Sequence, residues 1–141
     1  MAMDQGRATS ESWNLFVYGS LMDTDVLEGV IGHVHRGERL RARLKGYKRI
    51  SASGWTYPAL VPQAGAYTDG VLVTGLSDTE LEALDRYEEV TEGVYLRATV
   101  KVTVGESASA GALVAAQTYV AGPVLLNLLA AGSEAGRAPL S

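Results

Sequence analysis

Residues 76–89 have the sequence Leu-Ser-Asp-Thr-Glu-Leu-Glu-Ala-Leu-Asp-Arg-Tyr-Glu-Glu, and they predict the helix around which the rest of the chain is arranged. The start of this helix carries a capping box, with Ser77 as the N-cap and Glu80 as the third helical residue. Leu76 and Leu81 are spaced to form the apolar contact that often accompanies such a cap. The pattern therefore predicts a helix over residues 77–88.

One face of this helix combines apolar side chains with a carboxylate. Leu81, Leu84 and Glu88 are spaced i, i+3 and i+7, so they lie along one stripe. Glu89 lies about 100° further round the helix and is expected to face water. Burial disfavours a charged carboxylate, so the pKa of Glu88 should be raised toward the range of a general base. The alternative is that Glu88 only frays into solvent at the helix end.

Composition excludes several classes of function. The chain has 141 residues, which is the size of one domain, and a net charge of -4, which argues against a nucleic-acid or anionic-membrane partner. It has no cysteine, so disulfides, thiolate chemistry and cysteine-ligated metals are excluded. No window approaches the roughly 20 apolar residues of a membrane span, and residues 1–12 contain no apolar run typical of a signal peptide. We expect a soluble, cytoplasmic protein.

Strand-like segments surround the predicted helix. They are rich in branched and aromatic residues or alternate apolar with polar ones, and they comprise residues 13–18, 39–44, 46–50, 69–76, 94–104 and 112–120. Residues 54–62 contain two prolines and predict an edge strand or a structured loop. The count of elements indicates an α+β fold, whose many sheet edges could be covered by curling into a barrel. We expect a single domain over residues 13–132, a flexible leader over 1–12 and a flexible tail over 133–141.

A glycine turn follows the first predicted strand. Tyr18-Gly19-Ser20-Leu21 leads into a helix start capped by Asp23 or Thr24. Such a turn leaves backbone N–H groups converging, which suits a carboxylate or a developing oxyanion, although many similar turns bind nothing. His33 and His35 lack a third nearby metal ligand, so we interpret them as exposed strand-edge residues without a role.

Three separated segments carry a resemblance to a known family. They are Phe16-Val17-Tyr18-Gly19-Ser20-Leu21, Tyr57-Pro58-Ala59-Leu60-Val61, and Gly70-Val71 through Leu84-Asp85-Arg86-Tyr87-Glu88 to Tyr95-Leu96-Arg97. In this order and spacing they resemble the γ-glutamylcyclotransferase-like family, which includes the AIG2-like proteins and the γ-glutamylamine cyclotransferases. The resemblance runs from about Asn14 to about Val120.

The resemblance implies a fold and a set of site residues. The implied fold is a small mixed β-barrel with flanking short helices. Glu88 would be the catalytic acid/base, and the backbone amides of Tyr18, Gly19, Ser20 and Leu21 would cradle the glutamyl group. Tyr95 and Tyr119 would border the same cavity as further substrate-binding residues.

The resemblance also implies a reaction. A small-molecule γ-glutamyl amide would cyclise by attack of its own α-amine, releasing 5-oxoproline and a free amine or amino acid without a metal or an organic cofactor. One alternative is a non-catalytic small-ligand-binding or regulatory module on the same fold. Another is removal of a γ-glutamyl protecting group by the same ring closure. The shared motifs identify neither the leaving amine nor the oligomeric state.

Overall fold

A computed structural model of the protein describes residues 12–50, 58–105 and 112–127. Five strands, two α-helices and a 3₁₀ turn follow one another along the chain: β1 (Trp13–Val17), the 3₁₀ turn (Ser20–Met22), α1 (Thr24–Ile31), β2 (Arg39–Ile50), β3 (Ala59–Leu76), α2 (Asp78–Tyr87), β4 (Tyr95–Val104) and β5 (Ala112–Ala121). Residues 123–127 are also helical. The predicted α+β class is confirmed.

The strands close into a barrel in the order β1-β3-β2-β4-β5. Four of the five neighbouring pairs are antiparallel. The fifth pair, between β1 and β5, is parallel and has a single pair of partner residues, Leu15 and Gln117. A small mixed barrel flanked by short helices is therefore the fold, as the resemblance implied.

The longest pairing is between β2 and β3, and it differs from the sequence-based prediction at Gly46 and over residues 63–68, which belong to β3 although no strand was predicted there. The predicted break at Gly46 is a shift of register between Lys45 and Tyr47 within one continuous strand, and Gly46 adopts a φ of 88° there. An L side chain rarely adopts this conformation, which explains the glycine. Residues 54–57 lie outside the described ranges, but Pro62 belongs to β3 and pairs with Tyr47. β1 pairs with β3 only from Val71 onward, so the earlier part of β3 has no partner residues in β1. Pro62 therefore lies at an edge.

Helix α2 begins with the capping box that its sequence predicts. The Ser77 hydroxyl accepts a hydrogen bond from the Glu80 N–H at 3.1 Å, and the Glu80 carboxylate accepts one from the Ser77 N–H at 2.9 Å. Leu81 and Leu84 are buried in one apolar core cluster together with Leu76. This packing holds α2 against the barrel and thereby fixes the position of the C-terminal end of the helix.

The remaining predictions concern the chain ends and the histidines. Residues 1–11 and 128–141 lie outside the described ranges, so the leader, the tail and the limits of the domain stay predictions. The interpretation of His33 and His35 as strand-edge residues is wrong, because both lie in the connection between α1 and β2. The His33 ring contacts the Glu80 carboxylate, and the His35 ring lies 2.6 Å from the Thr74 carbonyl. Within the described residues, no helix has the length and apolar content to cross a membrane.

Candidate active site

A cavity of about 360 Å³ has walls formed by several elements of the fold. Its lining residues are Phe16, Val17, Tyr18, Gly19, Ser20, Leu21, Pro58, Tyr87, Glu88, Glu89, Val94, Tyr95 and Tyr119. All seven residues singled out from the sequence as site residues belong to this lining. The structure thus brings together the turn after β1, the end of α2, the start of β4 and a residue of β5.

The turn after β1 forms one wall of the cavity. Its first internal hydrogen bond runs from the Met22 N–H to the Gly19 carbonyl at 2.9 Å, so the turn itself does not use the N–H groups of Gly19, Ser20 and Leu21. A Cβ atom on Gly19 would lie 3.2 Å from Cγ of Pro58. Glycine therefore lets the turn and the Pro58 segment approach each other closely.

The C-terminal end of this turn is anchored in the fold. Asp23 caps α1 by accepting a hydrogen bond from the Asp25 N–H at 2.8 Å, which decides between the two caps that the sequence allowed. The Arg39 guanidinium donates from β2 to the Met22 carbonyl. Because the turn is tied to α1 and β2, its amides have a defined position beside the cavity.

Glu88 forms part of another wall. It is the C-cap of α2, and its N–H still bonds the Leu84 carbonyl at 3.0 Å, so the helical phase inferred from the sequence holds up to this residue. Its side chain is half-buried. Burial, followed by the nearby charge of Glu89, raises the pKa of Glu88 to about 7. A carboxyl group with this pKa can accept and return a proton near neutral pH.

Glu89 differs from Glu88 in exposure and in backbone conformation. Its side chain is exposed, as expected, yet the residue still borders the cavity. The helical phase does not extend to Glu89, because its backbone has the left-handed φ of 56°. The N–H groups of Glu89 and Val90 bond the carbonyls of Arg86 and Asp85, both at 3.1 Å, which is the Schellman arrangement for ending a helix. This turn reverses the chain directly after Glu88.

Three buried tyrosines complete the cavity, and each of their hydroxyls has a hydrogen-bond partner. The Tyr18 hydroxyl donates to the Tyr119 carbonyl at 2.5 Å, and the Tyr95 hydroxyl donates to the Pro58 carbonyl at 2.8 Å. The Tyr119 hydroxyl donates to the Asp85 carboxylate at 2.7 Å. Burial raises the pKa of Tyr18 and of Tyr119 above the ordinary value of a phenol, so both stay protonated near neutral pH.

Sequence reasoning missed the polar side chains that support this lining. Asp85 contacts Tyr119 and Arg97, and no role was predicted for it. Its position three residues before Glu88 was the available signal, since residues spaced i and i+3 share a helix face. The Ser20 and Tyr87 hydroxyls lie 3.0 Å apart and join the two walls, a contact that no local pattern indicated.

Nothing in the described part of the chain resembles a metal site. No three His, Asp or Glu side chains are grouped there closely enough to hold an ion. The polar groups that the described lining brings to the cavity include the half-buried Glu88 carboxyl group, backbone amides and phenolic hydroxyls.

Comparison with known proteins identifies related sequences. The family described as "Gamma-glutamyl cyclotransferase, AIG2-like" matches residues 15–135. AIG2-like protein C of Arabidopsis thaliana is 32% identical over 96 residues, which are 68% of this chain and 53% of that protein. The chain spans about half the length of the curated relatives it matches.

Solved structures show the same architecture. An Arabidopsis thaliana protein, known from its solution structure, has a TM-score of 0.66 at 31% identity, covering 79% of this chain and 69% of its own. A protein described as a gamma-glutamyl cyclotransferase also has a TM-score of 0.66, covering 92% of this chain and 82% of its own. Its identity is 21%, so this second likeness concerns the fold alone.

Proposed function

The chain belongs to the γ-glutamyl cyclotransferase, AIG2-like family, and on this premise we propose that it releases 5-oxoproline and a free amine or amino acid from a γ-glutamyl amide. The observation that supports this proposal most directly is the position of Glu88. Its carboxyl group has a pKa raised to about 7 and lines the same cavity as the turn amides of residues 19–21. Proton transfer and anion binding could therefore act on one small molecule.

In the proposed reaction the substrate supplies its own nucleophile. The α-amine nitrogen attacks the γ-carbonyl carbon, a new carbon–nitrogen bond closes a five-membered ring, and the original amide bond breaks. Glu88 takes a proton from the attacking nitrogen and delivers it to the leaving nitrogen, so the enzyme ends in its starting protonation state. Holding the glutamyl chain folded, with the amine against the carbonyl, would supply much of the rate.

The turn after β1 would bind the negative charge of the substrate. Backbone N–H groups that converge on a cavity can hold a carboxylate, or stabilise the oxyanion that forms on the γ-carbonyl. Both roles are compatible with the position of residues 19–21.

The proposal is tested by incubating the protein with a panel of γ-glutamyl amino acids and γ-glutamyl amines and measuring 5-oxoproline. We expect turnover of at least one amide and loss of turnover in Glu88→Gln. The matched control is Glu82→Gln, because Glu82 is exposed on the same helix and does not line the cavity. A protein that binds 5-oxoproline but turns over no member of the panel would instead be a ligand-binding module. Equal rates for Glu88→Gln and wild type would exclude Glu88 as the base.

A further inference from the structure

A chain of polar side chains runs from Tyr119 at the cavity to the exposed Thr99, and the proposed reaction does not use it. The Tyr119 hydroxyl lies 2.7 Å from Oδ1 of Asp85, and Nε of Arg97 donates to both oxygens of that carboxylate at 2.9 and 3.2 Å. Nη1 of Arg97 donates to the Gln117 side chain at 2.9 Å, and Gln117 donates in turn to Thr99 at 2.9 Å. Asp85 is thus paired with the Arg97 guanidinium, which Gln117 also holds in place.

The chemistry of these groups decides the direction of the hydrogen bond to Tyr119. A carboxylate paired with a guanidinium only accepts hydrogen bonds, so the Tyr119 hydroxyl must donate its proton to Asp85. A phenol has one proton and can also accept. With the proton committed to Asp85, the oxygen of Tyr119 can offer only lone pairs to a group in the cavity.

We propose that Asp85 is a positioning residue, which makes the Tyr119 hydroxyl a hydrogen-bond acceptor for the attacking α-amine of the substrate. The inference rests on the proposed function, since it concerns the orientation of a γ-glutamyl amide in the same cavity. Tyr119 and Glu88 both line that cavity, and the Tyr119 hydroxyl bonds Asp85, which precedes Glu88 by three residues on α2. An amine that donates to Tyr119 would therefore lie within reach of the base.

The product retains the nitrogen of that amine as a ring N–H, which provides a probe without turnover. 5-Oxoproline donates from this N–H, whereas its lactone analogue, 5-oxotetrahydrofuran-2-carboxylate, has a ring oxygen in the same place and cannot donate. The two molecules have nearly the same shape and charge. Binding of both is measured by calorimetry for wild type, Asp85→Asn, Tyr119→Phe and the double variant.

The wild type is expected to bind the lactam about tenfold more tightly than the lactone, which is the typical effect of one hydrogen bond. In Tyr119→Phe this preference should fall to about twofold or less. In Asp85→Asn the preference for the lactam should fall to the same extent. The asparagine amide can donate a hydrogen bond to the Tyr119 oxygen, so the proton of the Tyr119 hydroxyl can turn toward the cavity. The double variant should show no further loss, since both changes act on one hydrogen bond.

A purely structural role of Asp85 would weaken both ligands equally and leave the preference unchanged. The control is Asp78→Asn on the same helix, whose carboxylate accepts a hydrogen bond from the Trp13 indole at 2.6 Å and does not line the cavity. If Asp85→Asn does not fold, Tyr119→Phe still tests the acceptor role on which the proposal for Asp85 depends, because phenylalanine keeps the ring and its packing.

The outcomes separate this inference from the proposed function. Turnover of a γ-glutamyl amide together with an unchanged preference in folded Tyr119→Phe would overturn the inference and leave the function standing. A preference that behaves as expected without any turnover would contradict the function and support the acceptor role of Tyr119. A wild type that does not distinguish lactam from lactone would overturn the inference outright.

Discussion

Glu88→Gln should make the protein more stable and less active, and the gain in stability should depend on pH. In the folded chain the pKa of Glu88 is raised to about 7, whereas an unperturbed glutamate has a pKa of 4.5. The folded state therefore holds a proton that the unfolded state releases, and the unfolding free energy of the wild type falls as the pH rises from about 4.5 to about 7. Glutamine is neutral at every pH and avoids this loss.

The size of the effect follows from the two pKa values. Each pKa unit corresponds to about 1.4 kcal/mol, so the wild type should be destabilised by roughly 3 kcal/mol once the pH exceeds the pKa of the folded state. Between about pH 5 and about pH 8, the advantage of Glu88→Gln over the wild type should grow by about 2–3 kcal/mol. Removing the base should lower kcat by about 10²–10⁴ at the same time.

The assay is urea unfolding of wild type, Glu88→Gln and Glu82→Gln near pH 5 and near pH 8, combined with 5-oxoproline release at the higher pH. Glu82→Gln should show the same small difference from wild type at both pH values, because its side chain is exposed. An advantage of Glu88→Gln that is equal at the two pH values would show that Glu88 ionises normally. The argument that burial prepares this residue as a base would then be refuted.

Three further predictions concern neighbouring residues. Glu89→Gln should leave the maximal rate nearly unchanged and shift the acidic limb of the kcat/KM profile to lower pH, since the charge of Glu89 contributes to the raised pKa of Glu88; added salt should diminish this shift. Gly19→Val should weaken 5-oxoproline binding, measured by calorimetry, more than it lowers the unfolding free energy, because its Cβ would lie 3.2 Å from the Pro58 side chain at the cavity wall. Ser77→Ala should lower the unfolding free energy in urea by about 0.5–2 kcal/mol through loss of the cap, with little change in kcat.

The sequence by itself determined the local features of this protein. The capping box of Ser77 and Glu80 and the stripe ending at Glu88 were readable because helix starts and helix faces depend on spacings of three, four and seven residues. Most strand positions were readable because strand faces alternate with a period of two. The break expected at Gly46 is instead a shift of register inside one strand, and β3 begins at Ala59, ten residues before the strand predicted over residues 69–76. The resemblance supplied what local patterns could not, namely that the elements form a small mixed barrel.

Tertiary structure decided how the walls of the cavity meet. The Tyr18 hydroxyl bonds the carbonyl of a residue 101 positions away, and Tyr119 bonds Asp85 across 34 positions. Such contacts depend on how the strands are paired in register and on how the barrel closes. Both are determined by many pairings between residues distant in sequence and by irregularities such as the one at Gly46. Tertiary structure also decided the raised pKa of Glu88. The helical phase predicted which face of α2 carries the carboxyl group. The loss of water around that group, which raises the pKa, depends on all the elements that surround it.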